Sequence, residues 1–266
     1  MSDKEKVVLE AGDFSKALRG EIKLPVGEVL QRSWEITLRA LPVMLVGLAI
    51  LFVVNSLLSM LLDNWFPLEQ TDPDPVNVVL RSFISLFVVA PFSGILIYLG
   101  ILNAGDIKPD FADFGRALSR APQVILATFY PSILLTVVVV LALMLGVISQ
   151  ALSMAVIFAV GIYIQLSFIL AVPLVLDRNM VPHRACLASF IIINKQMLPV
   201  FAIYFILLLI VLISMLPLLL GLIFTLPLTF NVTGVIYNTL IGVKRNPLVS
   251  NSSASDESSE RDLNDD

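Results

Sequence analysis

The sequence has almost none of the residues that form covalent crosslinks and zinc sites. Its 266 residues include one cysteine, Cys186, and one histidine, His183. A single thiol excludes an internal disulfide, and a single histidine leaves no Cys/His cluster for a structural metal. Both residues lie in a segment that we interpret as a surface helix, so we expect no metal or other cofactor.

Charged residues are also scarce. They make up 14% of the chain, whereas 58% of its residues are hydrophobic and the mean hydropathy is +0.92. Soluble domains contain roughly 25% charged and 45–50% apolar residues, so this composition excludes a soluble core. It predicts an all-α integral membrane protein.

Recognisable catalytic motifs are missing as well. The sequence contains no HExxH zinc-protease motif, no GxSxG nucleophile elbow and no GxxxxGK phosphate loop. The cores of the predicted membrane segments contain no ionisable side chain, and membrane enzymes and ion-coupled transporters usually keep such groups there for use. The acidic, proline-rich loop at 63–74 lacks EF-hand spacing and is interpreted as a solvated turn. We therefore predict that the chain is not an enzyme.

What the sequence does contain is six apolar segments, each long enough to cross a hydrocarbon core of about 30 Å. The predicted spans are residues 40–62, 77–102, 122–149, 151–176, 198–216 and 220–243. They form a membrane domain over residues 25–245. The preceding arm, 1–24, is expected to be flexible or loosely docked in the cytoplasm. The tail, 246–266, is rich in Ser, Asn, Asp and Glu and is predicted to be an acidic, disordered cytoplasmic segment.

Three further segments alternate apolar and charged residues at helical spacing. The first runs from residue 26 to 41 and carries Leu30, Trp34 and Leu38 on one stripe, and the others lie within 103–121 and 181–195. Such patterns are typical of amphipathic helices at a membrane surface. Trp34 suits the headgroup level, where an indole ring is stable.

The basic residues give the orientation of the spans. All of the 17 Lys and Arg residues except Arg81 lie before the first predicted span, between the second and third, between the fourth and fifth, or after the sixth. Short loops rich in Lys and Arg stay on the cytoplasmic side. The sequence therefore predicts a multi-pass protein of a bacterial cytoplasmic (inner) membrane with both termini in the cytoplasm.

A weak internal repeat accompanies this pattern. Residues 34–42, 114–122 and 190–199 each run from an aromatic residue through a basic residue to a proline, and each is followed by two predicted spans. This arrangement is consistent with a threefold parallel repeat of surface helix plus hairpin. The alternative is that any hairpin that enters from the cytoplasm begins with basic and apolar residues.

Two sets of polar residues are candidate sites. Gln165, Asn231 and Asn55 are amides within the predicted spans, where they either form hydrogen bonds between helices or line a polar pathway. Arg116, Arg120 and Arg184 belong to the predicted surface helices, where they are candidates for contact with anionic lipid or with a cytoplasmic or membrane protein partner. The alternative for this second set is that it only sets orientation. We expect no nucleic-acid partner.

The passage ILAVPLVLD, residues 169–177, which runs into Ala185, Leu187, Ala188 and Ser189, resembles the YciC-like bacterial inner-membrane proteins. It is also similar to the membrane domain attached to some glycerophosphodiester phosphodiesterases. The resemblance implies a six-helix inner-membrane protein and supplies no active site, since the soluble phosphodiesterase domain is missing from this chain.

The function expected from these features is a non-catalytic component of the envelope or of membrane assembly, acting through interactions. Two alternatives remain open at this point. One is a transporter or channel for an uncharged or lipidic solute, and the other is the membrane subunit of a separately encoded enzyme.

Overall fold

The computed structural model describes residues 11–67, 75–146, 149–216 and 220–244. In these ranges the chain forms ten α-helices and no β-strand. The predicted acidic tail and most of the acidic outer loop lie outside the described residues. The helices are α1 Phe14–Arg19, α2 Val26–Trp65, α3 Pro75–Ala104, α4 Phe111–Ser119, α5 Ala121–Gly146, α6 Gln150–Ser167, α7 Ala171–Arg178, α8 Pro182–Lys195, α9 Met197–Met215 and α10 Leu222–Leu240.

Five segments in the described part of the chain are long and apolar enough to cross a membrane. They are α2, α3 from Val76, α5, the α6–α7 segment Gln150–Arg178, and α9. The prediction of an all-helical chain with several segments able to cross a membrane is therefore confirmed for the described residues. The sixth predicted span coincides with α10, which is less apolar because it carries four threonines and two asparagines.

Helix α10 occupies the centre of the described bundle and packs against α3, α2 and α9. Its residues from Asn231 to Tyr237 are all buried. Over these residues α10 is enclosed by other helices and does not face lipid, so its polar side chains there can bond to its neighbours. This position explains how α10 tolerates more polar residues than the five apolar segments.

The beginning of the bundle differs from the prediction of a surface helix followed by a separate span. Residues 26–65 form one continuous helix of 40 residues, α2, with Pro42 inside it. At 1.5 Å per residue this helix is about 60 Å long, roughly twice the thickness of a hydrocarbon core. The amphipathic pattern around Trp34 therefore belongs to an extension of the first span.

The fourth predicted span, 151–176, is divided into α6 and α7 by an interruption at residues 168–170. Pro173 lies in the first turn of α7, where a proline without an N–H is tolerated, whereas it would remove a bond from a continuous helix. Ser189 of α8 bridges the interruption: its hydroxyl donates to the Ser167 carbonyl at 2.8 Å and accepts from the Leu170 N–H at 3.1 Å. The backbone groups freed by the interruption thus find a partner on α8.

The N-terminal arm is docked from residue 11 onward. Asp13 caps α1 by accepting hydrogen bonds from the backbone N–H groups of Ser15 and Lys16, each at 2.9 Å. The Gly12 N–H donates to the carbonyl of Asn238 at 2.9 Å, and Lys195 donates to the carbonyl of Leu18 at 2.6 Å. The arm is therefore joined to the ends of α10 and α8.

Two glycines bring α3 and α10 into backbone contact. A methyl group added at Gly234 would overlap the carbonyl of Gly100, and one added at Gly100 would meet the carbonyl of Phe230. Close approach of this kind requires small residues on helices that pack inside a membrane. The α3–α10 contact is the innermost helix pair in the described bundle.

We expect Gly234→Ala to destabilise the protein by about 1–3 kcal/mol, because the added methyl group forces the two backbones apart. Gly115→Ala in α4 is the matched control, since a methyl group there meets no atom within 4 Å. The control should be neutral or slightly stabilising, because alanine favours a helix more than glycine does. Thermal unfolding in detergent measures both, and equal melting temperatures for the two variants would contradict the proposed contact.

Candidate functional site

The structure places the three candidate amides in different environments. Asn231 is fully buried, whereas Asn55 on α2 and Gln165 on α6 are exposed. Ile164 and Leu166 beside Gln165 are buried, so the rotation of α6 turns Gln165 to the outside of the bundle. Gln165 and Asn55 are therefore not interior contacts in this structure, and the candidate set is reduced to Asn231.

Asn231 joins three helices through its side-chain amide. Its Nδ2 donates to Oγ1 of Thr37 on α2 at 2.9 Å, and its Oδ1 accepts from Nδ2 of Asn103 on α3 at 3.2 Å. Because Asn103 lies in the last turn of α3, this network lies towards one end of the bundle and not at its middle. Sequence reasoning missed both partners, although Asn103 is the first polar residue after a long apolar run.

We expect Asn231→Leu to lower the stability of the bundle by about 1–3 kcal/mol, because the Asn103 amide loses a buried acceptor. Gln165→Leu is the matched control, since the Gln165 side chain is exposed and its replacement removes no described hydrogen bond. Thermal melts of the purified proteins in detergent compare the two. A larger loss for Gln165→Leu than for Asn231→Leu would show that the buried network is not a stabilising element.

A polar pocket of about 270 Å³ opens at the end of the bundle where α4, α7 and the chain after α10 meet. It is lined by three basic side chains, one carboxylate and a tyrosine, together with small and neutral residues. The lining residues are Tyr98, Arg116, Ala117, Ser119, Arg120, Leu176, Asp177, Asn179 and Lys244. Its volume is close to the lower end of the range of about 300–1,000 Å³ for small-molecule sites.

Hydrogen bonds fix the wall of this pocket on the side of Lys244. The carboxylate of Asp177 accepts from the Tyr237 hydroxyl at 2.7 Å and from the Lys244 backbone N–H at 3.2 Å. Arg178 donates to the carbonyl of Ile241 at 2.9 Å. The segment after α10 is thereby attached to the end of α7, which keeps Lys244 beside the pocket.

The opposite wall is helix α4. Arg116 forms an ion pair of 2.8 Å with Asp113, which is buried beneath it. Ala117 belongs to the buried core, and Phe114 packs against that core. The helix thus places an apolar side against the bundle while Arg116 and Arg120 line the pocket.

Among the described residues, Arg120 and Lys244 form no ion pair, in contrast to Arg32 and Arg39. Arg32 and Arg39 of α2 both bind the carboxylate of Asp106, at 2.6 Å and 2.7 Å. Their charges are largely compensated within the protein. Arg120 and Lys244 therefore place two positive charges in the pocket that form no ion pair with a described carboxylate.

Only two of the three predicted arginines come together. Arg116 and Arg120 line the pocket, whereas Arg184 is exposed on α8 and does not line it. Lys244, Asp177 and Tyr98 were not predicted as site residues. Lys244 could have been noticed because it directly follows the last apolar segment. Its closeness to α4, however, depends on how the helices pack and cannot be read from the sequence.

Comparisons with protein-family models, curated proteins and solved structures find no match to this chain. The resemblance to YciC-like proteins therefore stays a prediction. In the part of the chain that the structure describes, no three His, Cys, Asp or Glu residues are grouped so that they could hold a metal ion. The pocket has the chemistry of an anion-binding site, since Arg and Lys side chains bind phosphate and carboxylate groups.

Cys186 is buried on α8, with its sulfur 3.5 Å from the carbonyl of Ala127. Burial raises the pKa of its thiol to about 11. Because the thiolate is the reactive form, this cysteine is unreactive near neutral pH. It is therefore a structural residue and a poor probe of which side of a membrane α8 faces.

Proposed function

We propose that this chain is a six-span protein of the bacterial cytoplasmic membrane, with both termini in the cytoplasm, and that it acts without catalysis in envelope or membrane assembly. In this proposal the working part is the basic cytoplasmic face, defined by Arg116, Arg120, Arg184 and Lys244. That face holds anionic lipid of the inner leaflet. The observation that carries the proposal is the polar pocket, in which Arg120 and Lys244 form no ion pair within the described structure and Arg116 pairs with Asp113.

The charge distribution supports this orientation. The basic residues at the pocket end lie in or beside α4, α7, α8 and the chain after α10, and Lys and Arg near short loops remain in the cytoplasm. At the other end, Arg81 forms an ion pair of 2.6 Å with Asp63 and donates to the carbonyl of Phe66. Arg81 is thus neutralised by Asp63 at the outer end. The other Lys and Arg residues still lie on the side of the proposed cytoplasm.

The six-span topology rests on α10 as the sixth span. Its 19 residues have a length of about 28 Å, which is close to the thickness of a hydrocarbon core. With α10 crossing the membrane, the docked N-terminal arm and Lys244 lie on one side, as the Gly12–Asn238 hydrogen bond requires. In this arrangement α4 and α8 are the helices of the cytoplasmic surface, and the threefold repeat stays a prediction.

The interior favours an interaction role over the transporter alternative. Asn231 is engaged by Thr37 and Asn103 on two neighbouring helices, so its polar atoms tie the bundle together. Such hydrogen bonds contribute about 0.6–2 kcal/mol each to helix association. Among the polar groups that remain accessible, those of the pocket are gathered at one place from several helices.

Orientation is tested with two introduced cysteines, Gly115→Cys on α4 and Asn64→Cys near the end of α2, each in the otherwise native chain. An impermeant maleimide should label Asn64→Cys in intact spheroplasts and Gly115→Cys only after the membrane is opened. The native chain is the control and should remain unlabelled, because Cys186 is buried and its pKa is raised. Labelling of Gly115→Cys from outside would overturn the orientation.

Lipid retention tests the proposed role. The variant Arg116→Gln, Arg120→Gln, Arg184→Gln should lose most of the anionic phospholipid that co-purifies with the native protein, because each charge contributes about 1 kcal/mol of attraction. Lipid extraction and mass spectrometry give the ratio of anionic to zwitterionic lipid.

The matched control removes the same charge from Lys16, Lys23 and Lys108, which are exposed and do not line the pocket. It should keep the native lipid ratio. If both triple variants retain the native ratio, or if the Arg116, Arg120 and Arg184 variant fully complements a deletion strain, the basic face serves only to orient the protein.

A further inference from the structure

The lining of the polar pocket is more specific than a generally basic surface. Arg116 lies on α4, Arg120 directly follows the end of α4, and Lys244 lines the same pocket from the chain after α10. Asp177, the acidic lining residue, already accepts from the Tyr237 hydroxyl and the Lys244 backbone N–H. The Asp177 carboxylate thus already accepts hydrogen bonds from the protein, whereas the basic side chains still have unused N–H donors.

The donor count supports a phosphate ligand. A guanidinium has five N–H donors in a planar fork, and one of those of Arg116 is used by Asp113. No described side chain forms an ion pair with Arg120 or Lys244. Two guanidinium groups and an ammonium group can surround the oxygens of a phosphate, for which the arginine fork is well matched.

The position of these groups in the helices supports a lipid as the source of that phosphate. Arg120 directly precedes α5, Asp177 is in the last turn of α7, and Lys244 follows the end of α10 by four residues. If α5, the α6–α7 segment and α10 cross the membrane as proposed, all three residues lie where a span ends. That is the level of the lipid headgroups, where basic side chains meet anionic lipid.

The volume limits how much of a lipid the pocket can hold. At about 270 Å³ the pocket is of a size for a headgroup and is too small for a complete two-chain phospholipid. The acyl chains would then stay in the bilayer beside the bundle. Helix α3 contributes Tyr98 to the lining, and α7 contributes Leu176 and Asp177.

The geometry points to a binding site for the phosphate group of an anionic inner-leaflet phospholipid, in which Arg120 and Lys244 are the main ligands and Arg116 a third. This inference rests on the proposed orientation and deepens the proposed function, since it assigns lipid binding to one pocket. It separates these residues from Arg184, which lies outside the pocket.

The test uses the full-length protein reconstituted in nanodiscs that contain either phosphatidylglycerol or phosphatidylcholine, with bound lipid measured by native mass spectrometry after dilution. The variant Arg120→Gln, Lys244→Gln should bind phosphatidylglycerol about tenfold less tightly than the native protein. The control variant Lys23→Gln, Lys108→Gln removes the same charge outside the pocket and should bind as the native protein does.

A second arm adds inorganic phosphate or glycerol phosphate at millimolar concentration. Retention of phosphatidylglycerol in this arm supports a lipid site, whereas its displacement would assign the pocket to a free phosphate compound and overturn the inference. Equal losses in the pocket and control variants would overturn the pocket while leaving the proposed function intact. Failure of the native protein to prefer phosphatidylglycerol over phosphatidylcholine would instead refute the proposed function itself.

Discussion

Inside an apolar helix bundle, a polar group is stable only when another group of the protein satisfies it, and this constraint organises the described structure. Asn231 is bonded to Thr37 and Asn103, and Ser189 bridges the interruption between α6 and α7. The Asn231 bonds join helices that are far apart in sequence, and the Ser189 bonds join helices that follow one another. The polar residues therefore fix which helices are neighbours, while the apolar majority supplies the driving force for burial without specifying partners.

The same constraint decides which charges remain available for binding. Asp106 pairs with both Arg32 and Arg39, Glu35 lies 3.7 Å from Arg32, and Asp63 pairs with Arg81. Exposed ion pairs contribute little to stability, but each one removes a cation from the set that can bind a ligand. A count of basic residues in the sequence therefore overstates the free charge, and two of the three cations that line the pocket, Arg120 and Lys244, form no ion pair with a described residue.

The sequence was informative where a property is carried by many consecutive residues. The apolar segments and the all-helical class follow from composition and length, so helices α3, α5 and α9 begin and end within a few residues of the predicted spans. The sequence was uninformative where the rotation of a helix or a single contact decides whether a side chain is buried. Gln165 and Asn231 have the same polarity in the sequence, yet the rotation of α6 exposes one and the central position of α10 buries the other. The pocket is lined by residues between 98 and 244 in the sequence, and no local sequence pattern predicts that they come together.

The docking of the N-terminal arm bears on the order in which the protein assembles. Gly12 bonds to Asn238, and the guanidinium of Arg178 lies over the ring of Phe14 at 5.4 Å. The ribosome synthesises the arm first, but its partner on α10 emerges more than two hundred residues later. Contacts of such long sequence separation form late in folding. The arm can therefore dock only after α10 has been synthesised and inserted. A docked arm indicates that the chain has been completed as far as α10.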